Sequence, residues 1–351
     1  MSLSFSALEV GQGDAFLLEK DGWKCLFDSG GSKSGLESLL KNKRINHLNL
    51  AVCSHNDFDH TNGFLGILDT NSKITVDEIW LPGLFGSIMQ YVVDNGIPRE
   101  ILEPEYYHID DINLESLYDR ELRTISCDEF EDNMPISLIR IEHMLYGGFR
   151  RRWGFHYRID LHRESLLVKL ENIKEIAKKA YEAGCLIRWF EPVDGCVNNY
   201  IDYGFTALNS EETHQIKKLK GVQEFIYALT LTAENKYSLV YEYAEEGTPI
   251  VRFSADSDCT CQSVVPYPNN IIITAPHHGS EANQNVYNQI GGQDIIWVRS
   301  DRKSSKRPCA AFKRQANRYC LACPNRNFKA ELRFEYDGDR WQHITGNSCT
   351  C

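Results

Sequence analysis

Apolar and polar positions along this chain recur at two different periods, and the alternation between them predicts a mixed α/β protein. Residues 3–8, 14–20 and 23–27 are short apolar-rich runs, the first two separated by Gly11, Gln12 and Gly13, which predicts a meander of three strands. Residues 35–43 carry a helical pattern. Leu48, Leu50, Ala51, Val52 and Cys53 make the short apolar run of a strand covered on both faces, and 64–68 follow as a helical segment after the Asn62-Gly63 turn. Residues 74–81 are β-rich and stop at Pro82 and Gly83, so a first half closes near residue 85.

Beyond that point the pattern changes. Leu166, Leu170, Ile173, Ala177 and Ala180 recur at three- and four-residue spacings with lysines opposite, a helix over 166–183 ended by Gly184. Residues 211–219 read as a second helix carrying His214 toward solvent. Strands are expected at 228–231, 237–243, 249–253, 270–275 and 294–299, and a helix at 283–290. Three segments result: a first half over 1–85, an insertion over 86–225, and a second half over 226–351 with a Cys-rich end. The insertion is too long for a structureless loop, so it is expected to be mixed or helical.

Composition narrows the function classes. At 351 residues the chain suits one domain with a large insertion as well as two domains. A net charge of -11 argues against a broad basic surface that coats nucleic acid, though a local basic groove stays compatible. Twelve cysteines would fit a secreted disulfide scaffold, but residues 1–5 lack a basic region leading into a sustained apolar run. A cytoplasmic location is expected. No apolar run approaches the ~20 residues of a membrane helix.

The densest chemistry lies in Ser54-His55-Asn56-Asp57-Phe58-Asp59-His60-Thr61-Asn62-Gly63. A helix would fan His55, Asp57, Asp59 and His60 around its axis, and a strand would split them between two faces. A turn leaving a strand's carboxyl end can aim all four inward, where α/β sheets place their sites. Imidazole and carboxylate in this alternation suit divalent-metal capture. The plain alternative is a solvated acidic loop that contains two histidines.

The pattern His55-x-Asp57-x-Asp59-His60 resembles the signature of metallo-β-lactamase-fold hydrolases. Further stretches resemble, in order, the motifs of the ComEC-like branch of that family. They are Val10-Gly11-Gln12-Gly13-Asp14-Ala15, Cys25-Leu26-Phe27-Asp28-Ser29-Gly30-Gly31, Ile79-Trp80-Leu81-Pro82-Gly83, Phe253-Ser254-Ala255-Asp256 and Thr274-Ala275-Pro276-His277-His278-Gly279-Ser280. The likeness covers roughly residues 3–85 and 226–345. It implies an αββα four-layer sandwich holding two divalent metal ions, without the transmembrane part of the competence proteins.

The resemblance also implies a site. His55, Asp57 and Asp256 would serve a first metal, while Asp59, His60 and a histidine of the 276–280 turn serve a second, with Asp256 bridging. His277 is the expected ligand and His278 is expected to face the substrate. Asp57 or Asp59 would orient the nucleophile, and His278 would protonate the leaving group. Asp28 becomes a buried support, and the loop of Gly11, Gln12, Gly13 and Asp14 borders the site or is a simple hairpin turn. No histidine lies between 215 and 276, so the first site is nitrogen-poor. Such a donor set favours manganese or magnesium, with zinc still open.

Substrate contacts are expected from Asn235, in the Asn-x-x-Ser-Leu-Val pattern, and from Ser280. Arg150, Arg151 and Arg152 lie in an aromatic-rich segment and suit phosphate contact and base stacking, or pair with neighbouring acids as a surface loop. Arg307 belongs to a second basic run where the branch often has a histidine. Cys309, Cys320, Cys323 and Cys349 suit a structural zinc, a redox pair or ordinary buried thiols.

The branch resemblance implies a phosphodiesterase or nuclease acting on single-stranded nucleic acid or nucleotides with a two-metal-activated water. Two alternatives stand beside it. One is a hydrolase of a small ester, thioester or lactone; the other is a non-catalytic module docking a protein partner through the insertion. No membrane partner is expected.

Overall fold

A computed structural model describes residues 2–102, 134–135, 161–193, 197–232, 237–257, 259, 268–290, 294–302, 307–321, 331–345 and 349. The short runs of the amino-terminal third do form strands, Leu3–Ala7, Phe16–Lys20 and Trp23–Phe27, paired antiparallel as a meander. Trp23–Phe27 then pairs in parallel with His47–Val52, which pairs in parallel with Thr75–Pro82. Helix Lys33–Asn42 makes the first crossover, entered through Ser32, whose side chain accepts a hydrogen bond from the Gly35 N–H. A run of Leu48, Leu50, Ala51 and Val52 with no exposed apolar face is what a strand buried in a parallel sheet requires.

Two sheets carry the molecule. The first has nine strands, the second seven, among the described residues. Between them lies an aromatic-rich layer in which Phe27 stacks on Phe253 at 4.5 Å between ring centroids, with Phe5, Phe16, Trp80 and Tyr241 around it. The outer face of the first sheet is covered by helices Lys33–Asn42, Gly83–Asn95, Leu161–Glu182 and Val222–Leu231. Helices Gln284–Ile290 and Ala310–Lys313 cover the outer face of the second. Helix, sheet, sheet, helix is the αββα sandwich of the metallo-β-lactamase fold that the resemblance implied.

Several elements differ from the sequence reading. Residues 228–231 are no strand but the end of helix Val222–Leu231, because Val222, Phe225, Ile226 and Leu229 recur at helical spacing and bury that face. Residues 211–219 hold two short strands, Ser210–Thr213 and Gln215–Ile216, in place of a helix. Glu212 there grips Arg188 with two hydrogen bonds of 2.7 and 2.5 Å, a cross-strand pair that fixes the edge.

Pro82 and Gly83 do not close a unit. Helix Gly83–Asn95 starts there, and part of the 86–225 stretch is built into the sandwich. Leu186–Pro192 extends the first sheet in parallel beside Thr75–Pro82, and Phe205–Ala207 joins the second beside Tyr241–Glu245. Among the described residues no helix is long and apolar enough to cross a membrane.

Strand direction places the site. The carboxyl ends of Trp23–Phe27 and His47–Val52 open into Asp28 and the 54–60 segment, which is irregular to Asp57 and then enters the short helix Phe58–Thr61 where a turn was expected. In the second sheet Thr248–Phe253, Ile272–Thr274 and Ile296–Arg299 are parallel and open into Asp256, the 276–280 turn and Asp301. Both sets of turns meet at one edge of the sandwich.

Candidate metal centre

Asp28 organises the first side of this edge. Its backbone N–H donates to Val52 O, and its carboxylate accepts the Ser54 N–H and the Ser54 hydroxyl, each at 2.8 Å. Having donated its only proton to Asp28, the Ser54 hydroxyl must accept from His55 Nδ1, 2.9 Å away. The same logic fixes His60, whose Nδ1 lies 2.8 Å from Asp28 Oδ2. On the other side His278 Nδ1 lies 3.0 Å from Asp14 Oδ1. Three buried imidazoles thus spend their Nδ1 protons on supports, and in the neutral ring each Nε2 is left as a bare acceptor.

All three point toward Asp256. His60 Nε2 is 3.1 Å and His278 Nε2 3.6 Å from Asp256 Oδ1, while the two Nε2 atoms are 3.3 Å apart. His55 Nε2 is 3.8 Å and His277 Nε2 3.6 Å from Asp256 Oδ2. Asp57 Oδ2 stands 3.7 Å from His55 Nε2, and Asp59 Oδ2 stands 3.4 Å from His278 Nε2. The two oxygens of Asp256 therefore face two different groups of donors, the disposition of a bridging carboxylate.

Converging lone pairs repel unless a cation sits among them. His55 Nε2 and Asp256 Oδ1 are buried without a hydrogen-bond partner, which is costly for groups of this polarity. One donor set within 4.8 Å comprises Asp14, His60, Asp256 and His278, and another His55, Asp57 and Asp256. The residues present fit two divalent cations. Without metal, protons meet the same demand. Burial works against charging His60, but Asp256 and Asp28 outweigh it and hold its pKa well above the usual range. His278 is likewise pushed up to about 10 against burial, by Asp14 and Asp256. Asp256 and Asp59 stay ionised far below the usual carboxylate range despite their burial, because the imidazoles face them.

The 276–280 turn departs from expectation. His278, not His277, is the buried member of the cluster, and His277 keeps a side chain 23% exposed beside Asp256 Oδ2. Both residues have positive φ, 46° and 53°, and this left-handed turn swings the His278 ring inward and leaves its neighbour at the rim. The backbone therefore places His278 inside the donor cluster and His277 at its rim, the opposite of the expected placement. Asp14, read as a support, is also part of the deeper donor set.

The Gly11–Asp14 loop is a wedge against the metal loop. Asp14 N donates to Asp59 O, Gly31 N to Gln12 O and the Ser300 hydroxyl to Gly13 O. A Cβ on Gly13 would lie 1.6 Å from Asp59 O, so only glycine admits this approach. Behind the metal loop, Asn172 of helix Leu161–Glu182 donates to Asn56 Oδ1 and Thr61 Oγ1 at 2.9 and 2.7 Å.

Other expected residues fall as follows. Ser280 Oγ accepts from Ala282 N and caps the next turn. Arg307 is 30% exposed, lies 3.7 Å from Asp301 Oδ2, and is near enough to His277 to help burial hold that ring's pKa down. Arg150, Arg151, Arg152, Asn235 and Cys323 lie outside the described residues. Cys309, Cys320 and Cys349 are buried with Cys259 in the third core cluster, and among the described residues no cysteine joins a metal-holding group. Sequence reasoning missed Arg299, whose Nε donates to His278 O at 2.6 Å and which bonds Asp301 and Cys320 Sγ, each at 3.0 Å. Its only signal was an arginine ending an apolar strand.

No protein-family model and no curated protein matches the chain. Solved structures similar to it include AidC, a dizinc quorum-quenching lactonase in complex with a product, at 9% identity. That likeness covers 95% of this chain and 79% of that one, with a TM-score of 0.37. A diphosphatase from the PhnP family is similar at 10% identity over 95% of this chain and 99% of that one, with a TM-score of 0.38. Likenesses of this strength carry no substrate from those proteins to this chain.

Proposed function

We propose that this protein is a metal-dependent hydrolase of phosphodiesters, acting on single-stranded nucleic acid or nucleotides with two divalent cations. The observation that carries the reading is the convergence of three Nε2 atoms on Asp256, with every Nδ1 tied to a support. Cations held there would supply Lewis acidity and an activated water near neutral pH. His60, His278, Asp256 and Asp14 or Asp59 would hold one ion, and His55, Asp57 and Asp256 the other. The second set is rich in oxygen, which suits manganese or magnesium as well as zinc.

The chain's own groups define the rest. Asp57 and Asp59 flank the more open side of the centre and would orient a nucleophile. Arg307, close to His277 at the rim, would neutralise a substrate phosphate. The ordered likeness to the ComEC-like motifs supports a phosphodiester over a carboxylic ester.

The test strips the protein of metal and returns manganese, magnesium or zinc before assay on labelled single strands, cyclic nucleotides and a nitrophenyl ester. Metal-restored cleavage of phosphodiesters that weakens steeply with added salt is the expected result. Turnover of the neutral ester alone, insensitive to salt, would assign the centre to small esters instead.

A further inference from the structure

Phe58 sits between Asp57 and Asp59 and is 57% exposed. Its neighbours in the loop behave differently, since His55, Asn56, His60 and Thr61 are buried. A single exposed apolar side chain elsewhere would need no comment. Here it opens the short helix Phe58–Thr61 in the segment that carries His55, Asp57, Asp59 and His60 to the donor cluster, beside two partly exposed carboxylates.

The ring is held by its surroundings. A Cβ on Gly31 would come within 2.9 Å of Phe58 Cε1 and 3.3 Å of Cδ1, so glycine at 31 is what lets the ring edge rest on the backbone. That backbone is itself fixed, with Gly31 N donating to Gln12 O and Asn62 Nδ2 to Gly31 O, both at 2.9 Å. Supported on one edge and open elsewhere, the ring is preorganised to receive a partner.

The surroundings also select the partner. Among the described residues no other large exposed apolar side chain lies in the metal loop or the 276–280 turn to extend an apolar surface for an acyl chain. One aromatic ring flanked by carboxylates suits a planar ring that bears N–H donors on its edge. We infer that Phe58 is a stacking face for a nucleobase, which makes the substrate of the centre a phosphodiester bearing a nucleoside next to the scissile group. This rests on the phosphodiester reading above. Stacking would add affinity without base selectivity, because every base presents a π-face.

The test uses the manganese-loaded full chain and two labelled strands of equal length, one with bases and one abasic throughout. Cleavage gives KM and kcat, and fluorescence anisotropy on phosphorothioate versions gives Kd without turnover. Phe58→Ala is expected to raise KM and Kd about tenfold to a hundredfold on the base-bearing strand, leaving kcat and the abasic strand nearly unchanged. Phe58→Trp should retain tight binding, and Phe58→Leu should behave like the alanine variant. Gly31→Ala, which displaces the ring without removing it, should fall between.

A leucine variant equal to wild type, an alanine variant that weakens both strands equally, or one that loses bound metal would each overturn the stacking role. So would a wild-type protein that binds neither strand. A wild type that cleaves both strands equally well, with Phe58→Ala unchanged, defeats only the stacking face. One that cleaves no phosphodiester while keeping its metal defeats the function proposed above, and the anisotropy result still decides whether a base is bound.

Discussion

Asp28 Oδ2 lies 2.8 Å from His60 Nδ1, and the same carboxylate also takes both protons offered by Ser54. One buried side chain therefore sets the tautomer of His60 directly and that of His55 through the serine hydroxyl. Asp28→Asn would place an amide N–H where an acceptor is needed and turn the two rings to mixed tautomers. Metal affinity is expected to fall roughly 10- to 100-fold with the fold intact. Competition against a chromophoric chelator measures this, and unchanged affinity would remove Asp28 from the supports.

Gly11 and Gly13 share a positive φ, 84° and 91°, but not their surroundings. A Cβ at Gly11 would meet nothing within 4 Å, whereas one at Gly13 would run into the Asp59 carbonyl. Gly11→Ala is expected to cost only the left-handed backbone penalty, roughly 1–2 kcal/mol. Gly13→Ala must also push the metal loop away, so it should cost more and lose bound metal. Urea melts and metal content on the two variants check the contrast; equal effects would mean the loop does not depend on this approach.

What the sequence made legible followed the strength of its local patterns. The convergence of His55, Asp57, Asp59 and His60 could be read because no single regular element brings four such side chains together, although 58–61 form a short helix in place of the expected turn, and the strand before it because Asn49 is the only polar residue from Leu48 to Val52. Residues 228–231 read as a strand because the aromatic and β-branched run Phe225, Ile226 and Tyr227 before them hides the helical spacing of Val222, Phe225, Ile226 and Leu229. The inward placement of His278 in preference to His277 is invisible in the sequence for a sharper reason. Two adjacent histidines are chemically identical, and only the left-handed φ of the turn decides which ring goes inward. Arg299 was likewise silent, since its partners are a carbonyl and groups on other elements.

Arg299 is almost wholly buried and fixes the histidine turn from beneath, with Nε on His278 O and a terminal nitrogen on Asp301 Oδ2. Arg299→Lys retains a charge but cannot reach both partners with one planar fork. Losing this charge-assisted bond, while Asp301 keeps the Arg302 N–H and the nearby Arg307, should cost roughly 1.5–3 kcal/mol. The same variant should weaken an ion bound at His60 and His278 more than one bound at His55 and Asp57. Equilibrium unfolding and stepwise metal titration report the two effects separately. A lysine variant as stable as wild type, binding both ions normally, would show that the turn holds itself.

Glu191 carries the clearest pH signature away from the cluster. Its Oε1 is buried with no hydrogen-bond partner, beside Gly83 at the start of helix Gly83–Asn95. Burial raises its pKa from 4.5 to about 7, with Lys217 pulling the other way. Below pH 4.5 the carboxyl is protonated in both folded and unfolded chains, so its contribution is fully retained. Between 4.5 and 7 the folded protein keeps a proton the unfolded chain has lost, and stability falls as pH rises. Above pH 7 the charge must be carried on a half-buried side chain whose Oε1 is shut off from water, a loss of at most about 3–4 kcal/mol and less after solvent screening. Glu191→Gln removes that loss without changing the shape of the side chain. The variant is therefore expected to exceed wild type in stability at pH 8 and to approach it near pH 4.5, as read from urea midpoints across this window. An advantage that does not change with pH would place the Glu191 carboxyl in water.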